Sequence, residues 1–270
     1  MSAREEILSL MNELGVEPKK SLGQNFLISD HVIEKILNAV EKLKPTSMIE
    51  VGPGLGALTR GLLKMKVPFS VIELDRVFAK YWREKEIDVH EADALQFDWS
   101  TLKLSENAIL VSNLPYQISS SLVIDRSLDI QQLSAMVLMF QKEVAQRLKA
   151  NKGHELYGML SVFAQTFWQI ETLLEASSGD FMPPPKVASR VLVFQRKNHG
   201  IADKKKYLQM IKGSFLHPRK LLVSNLSTSL GMQKNALVEK LVELGLSEKV
   251  RAEELDLQQF LALYHSLGYR

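Results

Sequence analysis

The sequence predicts an α/β fold: a mostly parallel, Rossmann-like sheet with helices on both faces, followed by a small all-helical C-terminal domain. Three observations carry this. Short β-rich apolar runs alternate with segments of helical period between residues 29 and 140, the signature of parallel strands joined by crossover helices. A glycine-rich turn, Gly52-Pro53-Gly54-Leu55-Gly56, follows the first of those runs directly. Beyond Asn198-His199-Gly200 the pattern is wholly helical.

Taken in chain order, helical spacing over 29–44 predicts a first helix, with Ser29 or Asp30 as its cap. The apolar run 47–51 is a strand, and the glycine turn leads from it into a helix over 57–65. A strand at 69–74, a helix at 76–85 and a strand at 87–91 complete the second and third β-units. Runs 108–112 and 135–140 supply the next two strands, and 169–176 with 188–195 reads as an antiparallel edge pair. Helices follow at 204–215, 219–230, 234–244 and 257–267. This divides the chain into a domain over 1–200, with a helical N-terminal segment to residue 45, and a helical domain over 201–270. There is no internal repeat or low-complexity tract.

Composition bounds the function. With 270 residues, 46% hydrophobic and 24% charged, the chain can bury one large core and a smaller second one. It has no cysteine, which excludes disulfides, thiolate metal sites and thiol nucleophiles and suits a reducing compartment. Met1-Ser2-Ala3-Arg4-Glu5-Glu6 lacks the apolar core of a signal peptide, and no stretch approaches the ~18 apolar residues that cross a bilayer. A cytoplasmic protein with no membrane partner is expected. The net charge of +3 is unevenly spread: residues 142–221 hold fourteen Lys/Arg and six Asp/Glu, so the remainder is net negative. Arg147, Lys149, Lys186, Arg190, Arg219 and Lys220, with Tyr157, Phe163, Phe181 and Tyr207 interspersed, predict a surface for a polyanion. The run Lys204-Lys205-Lys206 alone reads better as a solvated helix start.

Two motifs carry chemistry. Gly52, Gly54 and Ala57 with Glu73 satisfy the dinucleotide pattern and equally a site for S-adenosylmethionine, in which glycines admit the ligand to the backbone and an acid ending the second strand accepts both ribose hydroxyls. Asp93 is placed to accept from the cofactor's adenine amine. Asn113-Leu114-Pro115-Tyr116 ends the fourth strand. Pro115 keeps Leu114 out of the helical region and leaves carbonyls facing outward. A conjugated exocyclic amine is a poor nucleophile, and it improves when the Asn113 side chain and Leu114 carbonyl take its hydrogens. Tyr116 offers a ring for the base to stack on. No metal is called for.

On these residues the chain resembles the bacterial small-subunit ribosomal RNA adenine dimethyltransferases. The resemblance covers nearly the whole chain. It runs through Lys19-Lys20-Ser21-Leu22-Gly23-Gln24-Asn25-Phe26-Leu27, Glu50-Val51-Gly52-Pro53-Gly54, Glu73-Leu74-Asp75, Asp93-Ala94-Leu95, Asn113-Leu114-Pro115-Tyr116 and Phe181-Met182-Pro183-Pro184-Pro185-Lys186-Val187. Six pieces in the family's order are far more specific than any one of them. The resemblance implies S-adenosylmethionine as cofactor, contacted by Asn25, Leu27, Gly52, Gly54, Glu73, Asp93 and Asn113. The implied substrate is two adjacent adenosines in a hairpin near the 3′ end of small-subunit rRNA, each taking two methyl groups, in a partly assembled small subunit met by a monomer. Asn113, Leu114, Pro115, Tyr116 and Phe181 form the implied catalytic set, with Phe181 stacking on the flipped adenine opposite Tyr116 after the proline run stiffens its backbone.

Some positions depart from the family pattern. Met159 stands for a usual arginine, Ala188 for a usual aspartate and Ala92 for a common glycine, and the segment from His217 and Pro218 to Leu226 is less basic than usual. These touch RNA docking rather than the catalytic core. Other readings are the antibiotic-resistance type of large-subunit rRNA dimethylase, a non-enzymatic ribosome-assembly factor and, last, an NAD dehydrogenase.

Overall fold

The computed structural model describes residues 1–268, Lys20 by its backbone alone; Tyr269 and Arg270, at the end of the expected helical domain, lie outside the described residues. The chain forms two compact units, Met1–Ala145 with Ile170–Arg196, and Gln146–Gln169 with Lys197–Arg270. The expected boundary near residue 200 thus becomes three: the chain enters the helical unit at Gln146, leaves it at Ile170 and re-enters at Lys197.

In the first unit the strands are β1 (Phe26–Leu27), β2 (Ser47–Val51), β3 (Phe69–Glu73), β4 (Asp88–Glu91), β5 (Ala108–Asn113), β6 (Leu133–Gln141), β7 (Trp168–Ala176), β8 (Phe181–Met182) and β9 (Ser189–Arg196). Seven form one sheet in the order β4-β3-β2-β5-β6-β9-β7. The first five pair in parallel, and β9 runs antiparallel to β6. The predicted edge pair takes this position. β2 is buried along its whole length, as expected of a parallel strand covered on both faces. The chain order reverses between β2 and β5, so the carboxyl ends of these strands open a crevice of the kind that receives ligands in such sheets. A separate antiparallel pair joins β1 to β8, with Phe26 opposite Met182 and Leu27 opposite Phe181; it has no sequence signature, being two residues a side.

Helices α1 (Ala3–Leu14), α2 (Asp30–Lys42), α3 (Thr59–Leu63), α4 (Arg76–Glu84) and α5 (Ser119–Leu128) accompany the sheet. α1 starts at a reciprocal cap: Glu5 N donates to Ser2 Oγ at 3.3 Å and Ser2 N to Glu5 Oε2 at 2.8 Å. Ile7 and Leu10 of α1 pack with Phe26, Leu55, Phe78 and Trp82 beneath the glycine turn. Ser29 holds the cap position of α2 without a side-chain cap bond, and the Asp30 carboxylate receives Ala3 N at 2.9 Å. Asp30 therefore ties α1 to α2 rather than capping its own helix.

α6 (Lys142–Lys149) passes from the first unit into the second. In the helical unit α7 (Met159–Phe167), α8 (Lys204–Ser214), α9 (Leu222–Leu230), α10 (Lys234–Glu243) and α11 (Leu257–Ser266) surround an aromatic core. Tyr207 is fully buried, packs against Phe163, Phe167 and Tyr264, and exchanges a hydrogen bond with Thr166 Oγ1 at 2.8 Å. The predicted aromatics of the polyanion surface are corrected here: Tyr157, Phe163, Phe181 and Tyr207 are all buried. Removing such large apolar rings from water outweighs what an exposed stacking face would gain. Among the described residues no helix is long and apolar enough to cross a membrane.

Candidate active site

A cavity of about 270 Å³ lies in the first unit at the crevice between β2 and β5. Its walls come from residues 21–27, the glycine turn, the end of β3, Ala92 to Ala94 and the stretch Asn113 to Ile118. Every residue expected to contact the cofactor borders it.

The turn is shaped by its glycines. Gly52 has φ 68°, favoured by glycine, and nothing stands within 4 Å of where a side chain would begin, leaving the backbone open to a ligand. Gly56, at φ 83°, lies against the Trp82 ring, and Trp82 Nε1 donates to Gly54 O at 2.8 Å. A tryptophan from α4 thus supports the turn from below.

Two buried carboxyl groups line the cavity. Glu73 is buried, and its carboxylate receives Gly54 N at 3.0 Å and Asp75 N at 2.8 Å. Burial raises its pKa against the pull of these N–H groups. Glu50, 2% exposed, receives Thr59 Oγ1 at 2.7 Å, and burial pushes its pKa up to about 8, with the nearby Glu73 adding to the rise. Two carboxyl groups in a low-dielectric wall favour a cationic ligand over a neutral one. Glu73 has lone pairs beyond those its two N–H partners use, enough for a ribose diol. Asp93 Oδ1 receives Leu95 N at 2.9 Å. This set of acceptors fits S-adenosylmethionine, which carries a sulfonium, an ammonium, a diol and an adenine amine.

Glu50 belongs to a quoted motif but had no expected role; its signal is a charge inside an otherwise apolar buried strand. Its raised pKa makes a stability prediction. The unfolded chain ionises Glu50 above about pH 4.5 while the folded chain keeps the proton to about pH 8, so the stabilising contribution present below the lower value is lost progressively across that window. Glu50→Gln, which retains an acceptor for Thr59, is expected to stabilise the cofactor-free protein by up to roughly 3 kcal/mol at pH 7. The gain vanishes near pH 4, and thermal melts at both pH values check it.

At the tip of β5, Asn113 Nδ2 donates to Asn25 O at 3.0 Å. A backbone carbonyl can only accept, so this bond settles the orientation of the amide: nitrogen toward Asn25, Oδ1 available as an acceptor. Among the described residues no hydrogen bond is made to the Leu114 carbonyl, whereas Pro115 O receives Ile118 N at 3.2 Å and Tyr116 O receives Ser119 Oγ at 3.0 Å. Leu114 and Asn113 are thus the two free acceptors of the tetrapeptide. Tyr116 OH is 2.7 Å from Ser189 Oγ on β9, and burial holds its phenol pKa above the usual range. Ser189, two residues past the late proline-containing motif at the start of β9, was not singled out by sequence; only the sheet brings it to Tyr116.

Phe181 departs from expectation. It does not border the cavity; it is 2% exposed in the core with Leu27, Ile33, Met139 and Val191. The pairing of β8 with β1 places it opposite Leu27, and the apolar ring is held by the core rather than offered to a base. Arg190 is also redirected. It forms an ion pair with Glu175, which Lys142 meets at 3.2 Å, and the Arg190 bond first, then that of Lys142, lowers the Glu175 pKa. Lys186, Arg147, Arg219 and Lys220 are exposed, and Lys149 is half-buried.

The model of the family described as ribosomal RNA adenine dimethylase matches residues 15–268. The chain is 50% identical over 99% of its length, and 98% of the relative's, to a protein of Bdellovibrio bacteriovorus named ribosomal RNA small subunit methyltransferase A. A protein of the same name from Syntrophotalea carbinolica is 39% identical over 90% of this chain and 94% of its own. Among solved structures, a dimethyladenosine transferase from Plasmodium falciparum superposes with TM-score 0.76 at 24% identity, covering 90% of this chain and 98% of that one. The 23S rRNA methyltransferase ErmE does so with TM-score 0.62 at 23% identity, covering 90% and 100%; both likenesses show the fold alone. With a match across nearly its whole length and relatives well above the threshold of chance, this chain belongs to the ribosomal RNA adenine dimethylase family.

Proposed function

We propose that the protein transfers methyl groups from S-adenosylmethionine to the exocyclic amines of adenosines in small-subunit rRNA, two adjacent adenosines near the 3′ end each receiving two, and that it meets them in a partly assembled small subunit. The observation that carries this is the Asn113 amide, held by the Asn25 carbonyl with its oxygen free, beside a cavity lined by two buried carboxyl groups. The name borne by the 50% identical relative favours the small subunit over the large.

The bound cofactor supplies an electrophilic methyl group. Asn113 Oδ1 and Leu114 O accept the two amine hydrogens, which draws the nitrogen lone pair out of conjugation and aims it at the methyl carbon. As the new C–N bond forms, the bond between the methyl carbon and the cofactor sulfur would break, the sulfonium would leave as a neutral thioether, and the nitrogen's proton would pass to solvent. After the first transfer one N–H remains, so one acceptor suffices for the second. Glu73 holds the ribose and Asp93 the adenine amine of the cofactor, Asn25, Leu27, Gly52 and Gly54 contribute backbone around it, and Tyr116 stacks on the target base. Exposed Arg147, Lys186, Arg219 and Lys220 supply phosphate contacts, with residues 201–270 acting chiefly in rRNA binding. Lys149 adds to them; Arg190 does so only by leaving Glu175.

Ser189→Ala frees the Tyr116 hydroxyl and loosens the stacking face. A lost hydrogen bond of about 1 kcal/mol predicts a roughly fivefold fall in kcat, matched by Tyr116→Phe and not deepened in the double variant; single-turnover rates test this. The function itself is tested by incubating the protein with labelled S-adenosylmethionine and each ribosomal subunit from an unmodified strain, then mapping the label. Label confined to the large subunit reverses the substrate, and none on either favours an assembly factor without methyl transfer.

A further inference from the structure

Residues 21–27 all border the cofactor cavity, and bonds to separate elements tie this strap down. Lys19 Nζ donates to Asp75 Oδ2 at 2.7 Å, and Gln24 Nε2 to the same oxygen at 3.3 Å. Gln24 Oε1 in turn receives Lys19 N at 2.8 Å. At the far end Asn25 Nδ2 donates to Gly23 O at 3.1 Å, Asn25 O receives Asn113 Nδ2 at 3.0 Å, and β1 pairs with β8.

Asp75 divides its two oxygens between two tasks. Oδ1 receives Val77 N at 3.0 Å and caps α4. Oδ2 is taken up wholly by the strap. The Asp75 side chain is 2% exposed, so nothing but Lys19 and Gln24 offsets the burial of that oxygen. Burial works to raise its pKa, but the Lys19, Val77 and Gln24 donors outweigh it and the pKa is lowered.

We infer that Lys19, Gln24 and Asp75 Oδ2 form a clasp that seats the strap over the cofactor, and that through Asn25 the same clasp aims the acceptor oxygen of Asn113. Asp75 is in this sense a positioning residue for an amine it does not touch. The cofactor leaves only when the strap lifts, and lifting removes the carbonyl that orients the Asn113 amide. The amide is therefore aimed only while the strap is seated. The inference rests on the reading of Asn113 as acceptor for the adenine amine.

Lys19→Met and Gln24→Met each break the clasp while leaving Asp75 Oδ1 on α4. In the full-length protein the thermal midpoint is expected to fall by a few degrees, since each variant leaves the buried Asp75 Oδ2 with one donor fewer. Cofactor dissociation, followed by displacement of a fluorescent analogue, is expected to quicken about tenfold, and turnover on unmodified small subunits at saturating cofactor to fall about tenfold at unchanged KM for the subunit. Lys19→Arg restores both. Wild-type turnover by either Met variant at saturating cofactor overturns the inference even if the cofactor leaves faster, as do unchanged dissociation rates. If the wild type labels no small-subunit adenosine, the substrate reading fails instead, and the dissociation rates still decide the clasp.

Discussion

Asn113→Ala is expected to lower turnover by about two to three orders of magnitude, the loss typical of removing one preorganised polar group from a reacting centre, while cofactor affinity changes by less than about threefold. On the proposed function its Oδ1 acts on the amine in the transition state, whereas Glu73, Asp93 and backbone would hold the cofactor. The structure sharpens this with a second variant. Asn113→Asp keeps an acceptor oxygen but replaces the Nδ2 that donates to Asn25 O, so a carboxylate oxygen would face a carbonyl oxygen. It is expected to be as inactive as the alanine variant, despite its conservative shape. Single-turnover methylation with equilibrium dialysis of labelled cofactor separates the two quantities, and a rate near wild type for either variant removes Asn113 from the chemistry.

Glu73→Ala is expected to weaken cofactor binding by a factor of about one hundred or more, with kcat at saturating cofactor falling much less. Two ribose hydroxyls lose a charged acceptor, and charged hydrogen bonds contribute roughly 1.5–3 kcal/mol each. The variant also leaves Gly54 N and Asp75 N without the partner they share, so the glycine turn itself loosens and the thermal midpoint drops. Glu73→Gln retains an acceptor oxygen, and it is expected to recover most of the thermal loss but not the affinity. The pH dependence has a definite sign. The pKa of Glu73 is raised in the free protein by burial, and hydroxyl donors together with a cationic ligand lower it on binding, so affinity in the wild type rises with pH as the carboxyl ionises. Calorimetric titration in the wild type and both variants measures this; equal slopes against pH in all three would remove Glu73 from the linkage.

Much of the fold was legible because its signals are local. The runs at 47–51, 69–74 and 108–112 are apolar segments of strand length between turn residues, and they appear within a residue of Ser47–Val51, Phe69–Glu73 and Ala108–Asn113. The helices at 204–215 and 257–267 carry their own period and appear as Lys204–Ser214 and Leu257–Ser266. What was missed lacks such a signal. β1 and β8 are two residues each and exist only because they meet. The excursion of Gln146–Gln169 into the helical unit is decided by packing against residues remote in sequence.

The sequence by itself determined the α/β class and the order of the six motifs, because periodicity, turn chemistry and motif spacing need only neighbours along the chain, and the family those motifs resemble implied the cofactor. Tertiary structure alone decided that Glu50 keeps its proton, that Asn113 turns its oxygen free, that Phe181 belongs to the core and that Arg190 is bound to Glu175. Each of these depends on desolvation or on a partner remote in sequence, 88 positions away in the case of Asn25 and Asn113, and the energy of a buried polar group is set by what surrounds it in space.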